Sequence, residues 1–320
     1  MCDDNTPQFR TTARTRVAIV MPSYGEDATL SDLLPELAAV LPSAHYDVRV
    51  LIVNDLGVPD PALETRARDA DAVLLNAPYN MGSQEALVHG IREQARRFRA
   101  DVVVTMDADG QDDLRAIPKL MATVEPGVIA VARRTGRRPE GLTFRMAYAV
   151  YKLAFRLLTQ ITPDFGNFAA FDQSVADHIS RSPHFHVTYS LALPKAARIV
   201  RVPVARLPRR HGRSRVGVQG LFDHAVRSAL PHLNTIALRM AAFSLAPATV
   251  AILLMVVSSF LRLFVPRYAF PNWATTIAFG AATLALQLFT VCLILFLVAS
   301  LSRQIAATRA MEEDRQSQDR

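Results

Sequence analysis

Two stretches near the C-terminal end constrain this chain more than any other feature. Met240 to Leu261 contains no charged side chain, and neither does Tyr268 to Ser302. A helix of ~20 apolar residues crosses a bilayer core, and helices in soluble cores rarely run so long without a charge. Pro247 and Gly280 interrupt the pattern, and a membrane helix tolerates both. Two transmembrane helices, 240–262 and 274–302, are therefore expected, joined by a short connection containing Arg262, Pro266 and Arg267. Two spans put both ends of the chain on one side. Arg206, Arg209, Arg210, Arg213, Arg215, Arg227 and Arg239 precede the first span, and Arg303 and Arg309 follow the second. This excess of arginine assigns the N-terminal bulk of the chain and the tail 303–320 to the cytoplasm. Residues 219–239 mix Leu221, Phe222, Val226, Leu230 and Leu233 with Asp223, His224, Arg227 and His232, as an amphipathic juxtamembrane segment would.

Ahead of the spans, 16–218 reads as an α/β domain, preceded by a polar tail, 1–15, that carries no export signal. Arg16 to Met21 is a buried strand, and an amphipathic helix follows to about Leu41. Further strands are expected at Val48 to Val53, Ala72 to Leu75, Asp101 to Met106, Val128 to Ala132 and Val200 to Val204, with helical spacing from Ser83 to Phe98. Short apolar runs alternating with helices predict a mostly parallel sheet, and ligands bind beyond the carboxyl ends of such strands.

Composition closes off several classes. Hydrophobic residues make up 50% of the chain against 20% charged, which excludes disorder. Cys2 and Cys292, at opposite ends, can build neither a disulfide framework nor a CxxC metal knuckle. The net charge of +7 favours phosphate-bearing partners. That charge is concentrated: no acidic residue occurs from His178 to Phe222, and seven arginines lie from Arg198 to Arg215. Arginine's planar fork suits phosphate.

The sharpest local signal is Asp107-Ala108-Asp109, delivered at the mouth of the strand Val102, Val103, Val104 and Met106. Hard divalent cations take oxygen ligands and bridge one or two carboxylates to substrate phosphates. Alone, a pair of acids so spaced is commonplace in surface loops. Its place behind a buried strand, with Gln111 and Asp112 following, gives it weight.

In order along the chain stand Pro22-Ser23-Tyr24-Gly25-Glu26, Val53-Asn54-Asp55, Asn80-Met81-Gly82 and the run Met106 to Asp113. This ordered set resembles the family 2 glycosyltransferases. The C-terminal spans and the basic run Arg209 to Arg215 narrow the resemblance to the polyisoprenyl-phosphate group, which includes dolichol-phosphate mannose synthases and bacterial undecaprenyl-phosphate sugar transferases. The resemblance implies a GT-A catalytic domain, with a Rossmann-like nucleotide-binding sheet, followed by two C-terminal transmembrane helices. It implies Mg²⁺ or Mn²⁺ as cofactor. As partners it implies a UDP- or GDP-linked nucleotide sugar, a polyprenyl phosphate lipid and the membrane, with no nucleic acid, and it leaves homo-oligomerisation open. The location implied is the inner, cytoplasmic membrane.

Residue by residue, the resemblance assigns Pro22, Tyr24 and Glu26 to the loop holding the nucleoside and Asp55 to the base or ribose. Asn80 and Gly82 join them as substrate-binding residues. Asp107, Asp109 and Gln111 match the metal and donor site, with Asp109 also catalytic. Arg133 matches a catalytic arginine near the phosphates, and Arg209, Ser214 and Arg215 match a basic loop closing on diphosphate and lipid phosphate. The chain departs from the pattern at Asn54, where a second acid is common, and at Gly57, where serine is frequent. It departs again at Asn167, within Phe165-Gly166-Asn167-Phe168, where an acid is expected. An amide can neither act as a base nor carry charge. A catalytically silent nucleotide-binding adaptor, and a family 2 transferase with a different acceptor, remain open beside the polyprenyl-phosphate transferase.

Overall fold

The computed structural model describes residues 14–135, 142–162, 165–182, 185, 188–211, 229, 232–264 and 272–318. Ser214 and Arg215, residues 219–228 of the amphipathic segment, and 265–271 of the connection lie outside the described residues. The chain forms two compact units, one of residues 1–141 and 163–231, the other of 142–162 and 232–320.

The first unit is a seven-stranded sheet. Its strands are β1 (Thr15–Ser23), β2 (Tyr46–Asn54), β3 (Val73–Asn76), β4 (Val102–Thr105), β5 (Val128–Thr135), β6 (Phe165–Asp172) and β7 (Arg198–Ala205), in the order β3-β2-β1-β4-β6-β5-β7. β1 pairs in parallel with β2 and β4, β2 with β3, and β5 with β7. β6 alone is antiparallel, to both β4 and β5. The expected mostly parallel sheet is thus present, with one reversed strand that the sequence did not announce. Phe165–Asp172 (FGNFAAFD) lacks polar–apolar alternation because Asn167 to Phe171 is continuously buried.

Helices cover the sheet. α1 (Asp27–Val40) turns Leu30, Leu33, Leu34 and Leu37 inward, the i, i+3, i+4, i+7 stripe of an amphipathic helix. Asp32 and Glu36 are left on its outer face. α2 (Pro61–Asp69) starts on Asp60, whose side chain accepts from the N–H groups of Ala62 and Leu63. α3 (Ser83–Arg97) buries Leu87, Val88 and Ile91. α4 (Ile117–Met121), α6 (Gln173–Arg181) and α7 (Leu193–Ala196) are shorter. The apolar core centres on Ile19, Met21, Ile52, Val104, Met106 and Phe168.

The second unit holds α5 (Leu142–Thr159) and two long helices, α8 (Leu233–Phe264) and α9 (Asn272–Gln318). Leu233–Phe264 and Thr276–Val298 are long and apolar enough to cross a membrane. Leu245, Ile252, Leu263 and Phe279 point outward. The residues buried along α8 include Ser244, Ala251 and Ser258, and along α9 Ala278, Ala285 and Cys292, each set at seven-residue intervals. Small side chains in such a seam let helix backbones approach closely. α5 joins this unit through Phe155, whose ring meets His232 edge-on at 6.2 Å, and through Arg239, which donates to the Leu157 carbonyl.

Candidate active site

The carboxyl ends of β1, β2, β3, β4, β5 and β7 share one edge of the sheet, and the order reverses between β1 and β4, where ligands bind in open α/β sheets. At that edge β2 ends in Asn54, which is buried and works with both ends of its amide. Its Nδ2 donates to the Val58 carbonyl at 2.8 Å and to Asn76 Oδ1 at 2.9 Å, and its Oδ1 accepts from the Leu56 N–H at 3.2 Å. A carboxylate could not make those donations. The amide here ties β2, β3 and the intervening loop together. In that loop Gly57 has φ +75°, and a Cβ would sit 2.9 Å from the Asn80 backbone nitrogen, so the position rejects the expected serine.

Asp55 is buried, and its Oδ1 accepts from the N–H groups of Met81 at 2.8 Å and Gly82 at 3.2 Å. Burial is the largest influence on it and pushes its carboxyl above the usual aspartate range, while the two N–H donors oppose the shift. Asn80 is exposed and accepts from the Gly82 N–H at 3.2 Å. Pro22 is buried at the end of β1, Tyr24 is exposed beyond it, and the Tyr24 N–H donates to a Glu26 carboxylate oxygen.

Past β4 the chain turns through Asp107 to Gln111. The Asp107 N–H donates to Asp112 Oδ2 at 3.2 Å, and Asp109 Oδ1 accepts from the Gln111 N–H at 3.1 Å. Both Asp107 and Asp109 are half-buried. The segment after β7 lies across this turn. The Leu207 N–H donates to the Gln111 carbonyl at 2.9 Å, Arg206 donates to Gln111 Oε1, and a Cβ on Gly110 would meet the Arg210 side chain at 2.8 Å. Arg209 bonds Glu26 at 3.1 Å, Arg210 grips Glu36 through both terminal nitrogens at 2.7 and 2.6 Å, and His211 meets Asp32 at 3.1 Å. Arg133 is exposed near the end of β5.

The structure therefore joins two groups that the sequence kept apart: the Asp107–Gln111 turn with Arg206 and Arg210, and Glu26 with Arg209. Ser214 and Arg215 lie outside the described residues. Three participants carried no sequence signal: Asp32 and Glu36, which look like ordinary solvent-facing acids of an amphipathic helix, and Gln84; Asn167 stood out only as a departure from the family pattern. Gln84 Nε2 donates to Asn167 Oδ1, and Asn167 Nδ2 donates to Asp107 Oδ1, each at 2.7 Å. Asn167 arrives there because β6 runs backwards. Thr105 stands opposite Ala169, and the same antiparallel register continued two residues sets Asn167 opposite Asp107.

No group of three His, Cys, Asp or Glu side chains among the described residues could hold a metal ion. Two half-buried carboxylates separated by a single residue nonetheless suit a hard cation whose remaining ligands come from substrate phosphate and water. Gln111 is the weaker member of the expected set, since its side-chain oxygen already receives Arg206.

Several known proteins are similar to this chain. The undecaprenyl-phosphate 4-deoxy-4-formamido-L-arabinose transferase of Pseudomonas fluorescens (strain Pf0-1) is 30% identical over 220 residues, 65% of this chain and 62% of that protein. The transferase of the same name from Klebsiella pneumoniae subsp. pneumoniae is 28% identical over 272 residues, 81% of this chain and 79% of that protein. Among solved structures, glucosyl-3-phosphoglycerate synthase from Mycobacterium tuberculosis in complex with UDP superposes with a TM-score of 0.46 and 17% identity, over 70% of this chain and 80% of that one. The family model described as Glycosyl transferase family 2 matches residues 18–180, just over half of the chain and the stretch that builds β1 to β6. With that match on these strands and turns, the chain belongs to glycosyl transferase family 2.

Proposed function

We propose that the chain is a membrane-bound, inverting transferase moving a sugar from a UDP- or GDP-linked donor to a polyprenyl phosphate such as undecaprenyl or dolichyl phosphate. The observation that carries this is the meeting of the Asp107/Asp109 turn with the arginines following β7, in a chain that also bears two helices apolar enough for a bilayer. The named relatives favour the same acceptor class.

In the reaction, an oxygen of the acceptor phosphate attacks the sugar C1 while the bond from C1 to the diphosphate oxygen breaks. The nucleoside diphosphate departs, and configuration at C1 inverts. A phosphate monoester has a second pKa of about 6, so at neutral pH the attacking oxygen carries no proton. Positioning and charge screening then suffice, and no acid is needed at position 167 to act as base. Asp107 and Asp109 are the residues to hold Mg²⁺ or Mn²⁺, which would offset the growing negative charge on the leaving diphosphate. Arg133, Arg209 and Arg215, with Ser214, are assigned to the donor and lipid phosphates, where guanidinium forks bind in bidentate fashion. Pro22, Tyr24, Glu26, Asp55, Asn80 and Gly82 frame the nucleoside, Asp55 chiefly by holding the 81–82 turn. The spans 240–262 and 274–302 would keep domain 16–218 on the cytoplasmic face of the inner membrane, in reach of a lipid that does not leave it.

The test is transfer of radiolabelled sugar from a panel of UDP- and GDP-sugars to undecaprenyl phosphate by detergent-purified protein with Mn²⁺ or Mg²⁺. Lipid-linked label that disappears with EDTA and in Asp109→Asn is the expected result. Nucleotide binding without product from any donor would replace the transferase with the silent adaptor.

A further inference from the structure

We propose that Asn167 is a positioning residue, forming with Gln84 a one-way amide relay that fixes the carboxylate of Asp107. The inference rests on the assignment of Asp107 to the donor site. Its direction follows from the backbone. Gln84 Oε1 accepts from the N–H groups of Tyr189 at 3.0 Å and Ser190 at 3.1 Å, and lies 3.3 Å from the Ser190 hydroxyl. A backbone N–H can only donate, so the oxygen end of Gln84 is committed there and its Nε2 must face Asn167. Asn167 Oδ1 receives that N–H at 2.7 Å, which leaves Asn167 Nδ2 to donate to Asp107 Oδ1 at 2.7 Å. Every bond in the chain points toward Asp107.

The relay is anchored as well as directed. Asn167 is buried, and its carbonyl accepts from Thr105 Oγ1 at 2.6 Å. The Thr105 hydroxyl lies 2.8 Å from the buried Tyr189 hydroxyl, and Tyr189 supplies one of the N–H groups holding Gln84. Elements β4, β6, α3 and the segment before α7 are thus locked around one carboxylate oxygen. An aspartate at 167 would present an oxygen where this chain presents an N–H. The amide is what lets the reversed strand touch Asp107 without repulsion, and its task is the orientation of that side chain.

Two substitutions separate this role from mere packing. Asn167→Leu removes the donor and keeps the same branched skeleton of side-chain heavy atoms. Gln84→Glu keeps the shape but sets a carboxylate oxygen against Asn167 Oδ1, so that Asn167 turns its NH₂ toward residue 84 and its oxygen toward Asp107. Mn²⁺ binding in the presence of UDP or GDP is read from the electron paramagnetic resonance of free Mn²⁺, with melting temperature recorded alongside. Each variant is expected to raise the half-saturating Mn²⁺ concentration by roughly tenfold or more, the usual cost of losing a residue that orients a metal ligand. The double variant is expected to be no weaker than Asn167→Leu alone, because both act through one contact. Additive losses, or unchanged Mn²⁺ affinity in Gln84→Glu, would overturn the relay. A second arm needs no ligand. In protein labelled with ¹⁵N-asparagine, the Asn167 side-chain NH₂ signal, identified by its absence in Asn167→Leu, is expected to move on Gln84→Glu and on Asp107→Ala. A signal indifferent to Gln84→Glu rejects the relay even if the wild type transfers sugar. A wild type that binds neither nucleotide removes the transferase function, and the NMR arm still decides the relay.

Discussion

Arg209 Nη2 and Glu26 Oε1 lie 3.1 Å apart, joining the start of α1 to the segment that follows β7. The two are 183 residues apart in sequence, and each was expected to contact the donor on its own account. Both side chains are largely shielded, with 24% and 19% exposed. The pair holds the arginine in place before any diphosphate arrives. Arg209→Ala is accordingly expected to lower kcat by ~10²-fold or more, the scale of removing one preorganised donor from developing charge. Glu26→Gln keeps an acceptor oxygen but loses the charge, and should mainly raise the donor KM. Initial rates against donor concentration check both, and an Arg209→Ala enzyme with wild-type kcat would contradict the assignment.

Asp109 accepts the Gln111 N–H and sits two residues beyond Asp107. Asp109→Asn preserves that turn, since the amide oxygen still accepts, and removes one charge. Transfer is expected to fall by ~10²-fold or more, with the Mn²⁺ requirement shifted to higher concentration and the melting temperature nearly unchanged. A Mn²⁺ titration of activity reads the difference. Equal activity across that titration would remove Asp109 from the metal site.

Gly57 and Gly110 both have positive φ, +75° and +74°, yet alanine should cost different amounts at the two positions. Left-handed backbone alone costs an alanine roughly 1–2 kcal/mol. At Gly110 the new methyl would press on the flexible stem of Arg210, whereas at Gly57 it would meet the backbone of Tyr79 and Asn80 at 2.9–3.1 Å. Gly57→Ala should therefore melt at the lower temperature of the two and weaken nucleotide binding through the 79–82 loop. Thermal unfolding of the pair in one detergent decides it.

The Arg210–Glu36 clasp carries a pH dependence of definite sign. The hydrogen bond from Arg210 is the main cause holding the Glu36 carboxyl below its ordinary value. A carboxyl depressed in the folded state contributes stability that is fully present above its unfolded pKa and is lost as pH falls through the folded one. The clasp should thus be intact at neutral pH and open only below the usual glutamate range. ¹³C NMR titration of Glu36 should give a low midpoint that rises toward the ordinary value in Arg210→Ala. A midpoint unmoved by Arg210→Ala would show that the contact does not form in solution.

Much of the sheet was legible because β1, β2 and β4 each contain a short apolar run, 17–22, 50–53 and 102–104, that leads into a polar turn, and such runs have few other uses in an α/β chain. The Asp107/Asp109 turn was legible for the same reason, being the exit of a buried strand. β6 was not. Its central residues, Asn167 to Phe171, are buried on both faces, and the strand includes glycine and paired alanines, so neither alternation nor β-branching marks it. Asn54 and Asn167 stood out as departures from a family pattern, but only the hydrogen bonds show what each amide does. The arginines after β7 were visible as a charge run. Their partners on α1 were not, because periodicity assigns a residue to a face and says nothing about a segment ~180 positions away.

Ser244, Ala251 and Ser258 on α8, with Ala278, Ala285 and Cys292 on α9, leave the outward faces of both helices to large aliphatic and aromatic side chains. In lipid, those outward residues gain nothing by turning inward, since hydrocarbon is as apolar as they are. The fit of the hairpin then depends on a few small contours, and the rest of its surface is interchangeable. A library that shuffles Leu, Ile, Val and Phe across the outer positions should yield chains that still assemble, while one bulky side chain at Ala251 should wedge the hairpin apart. The hairpin is written in what it omits.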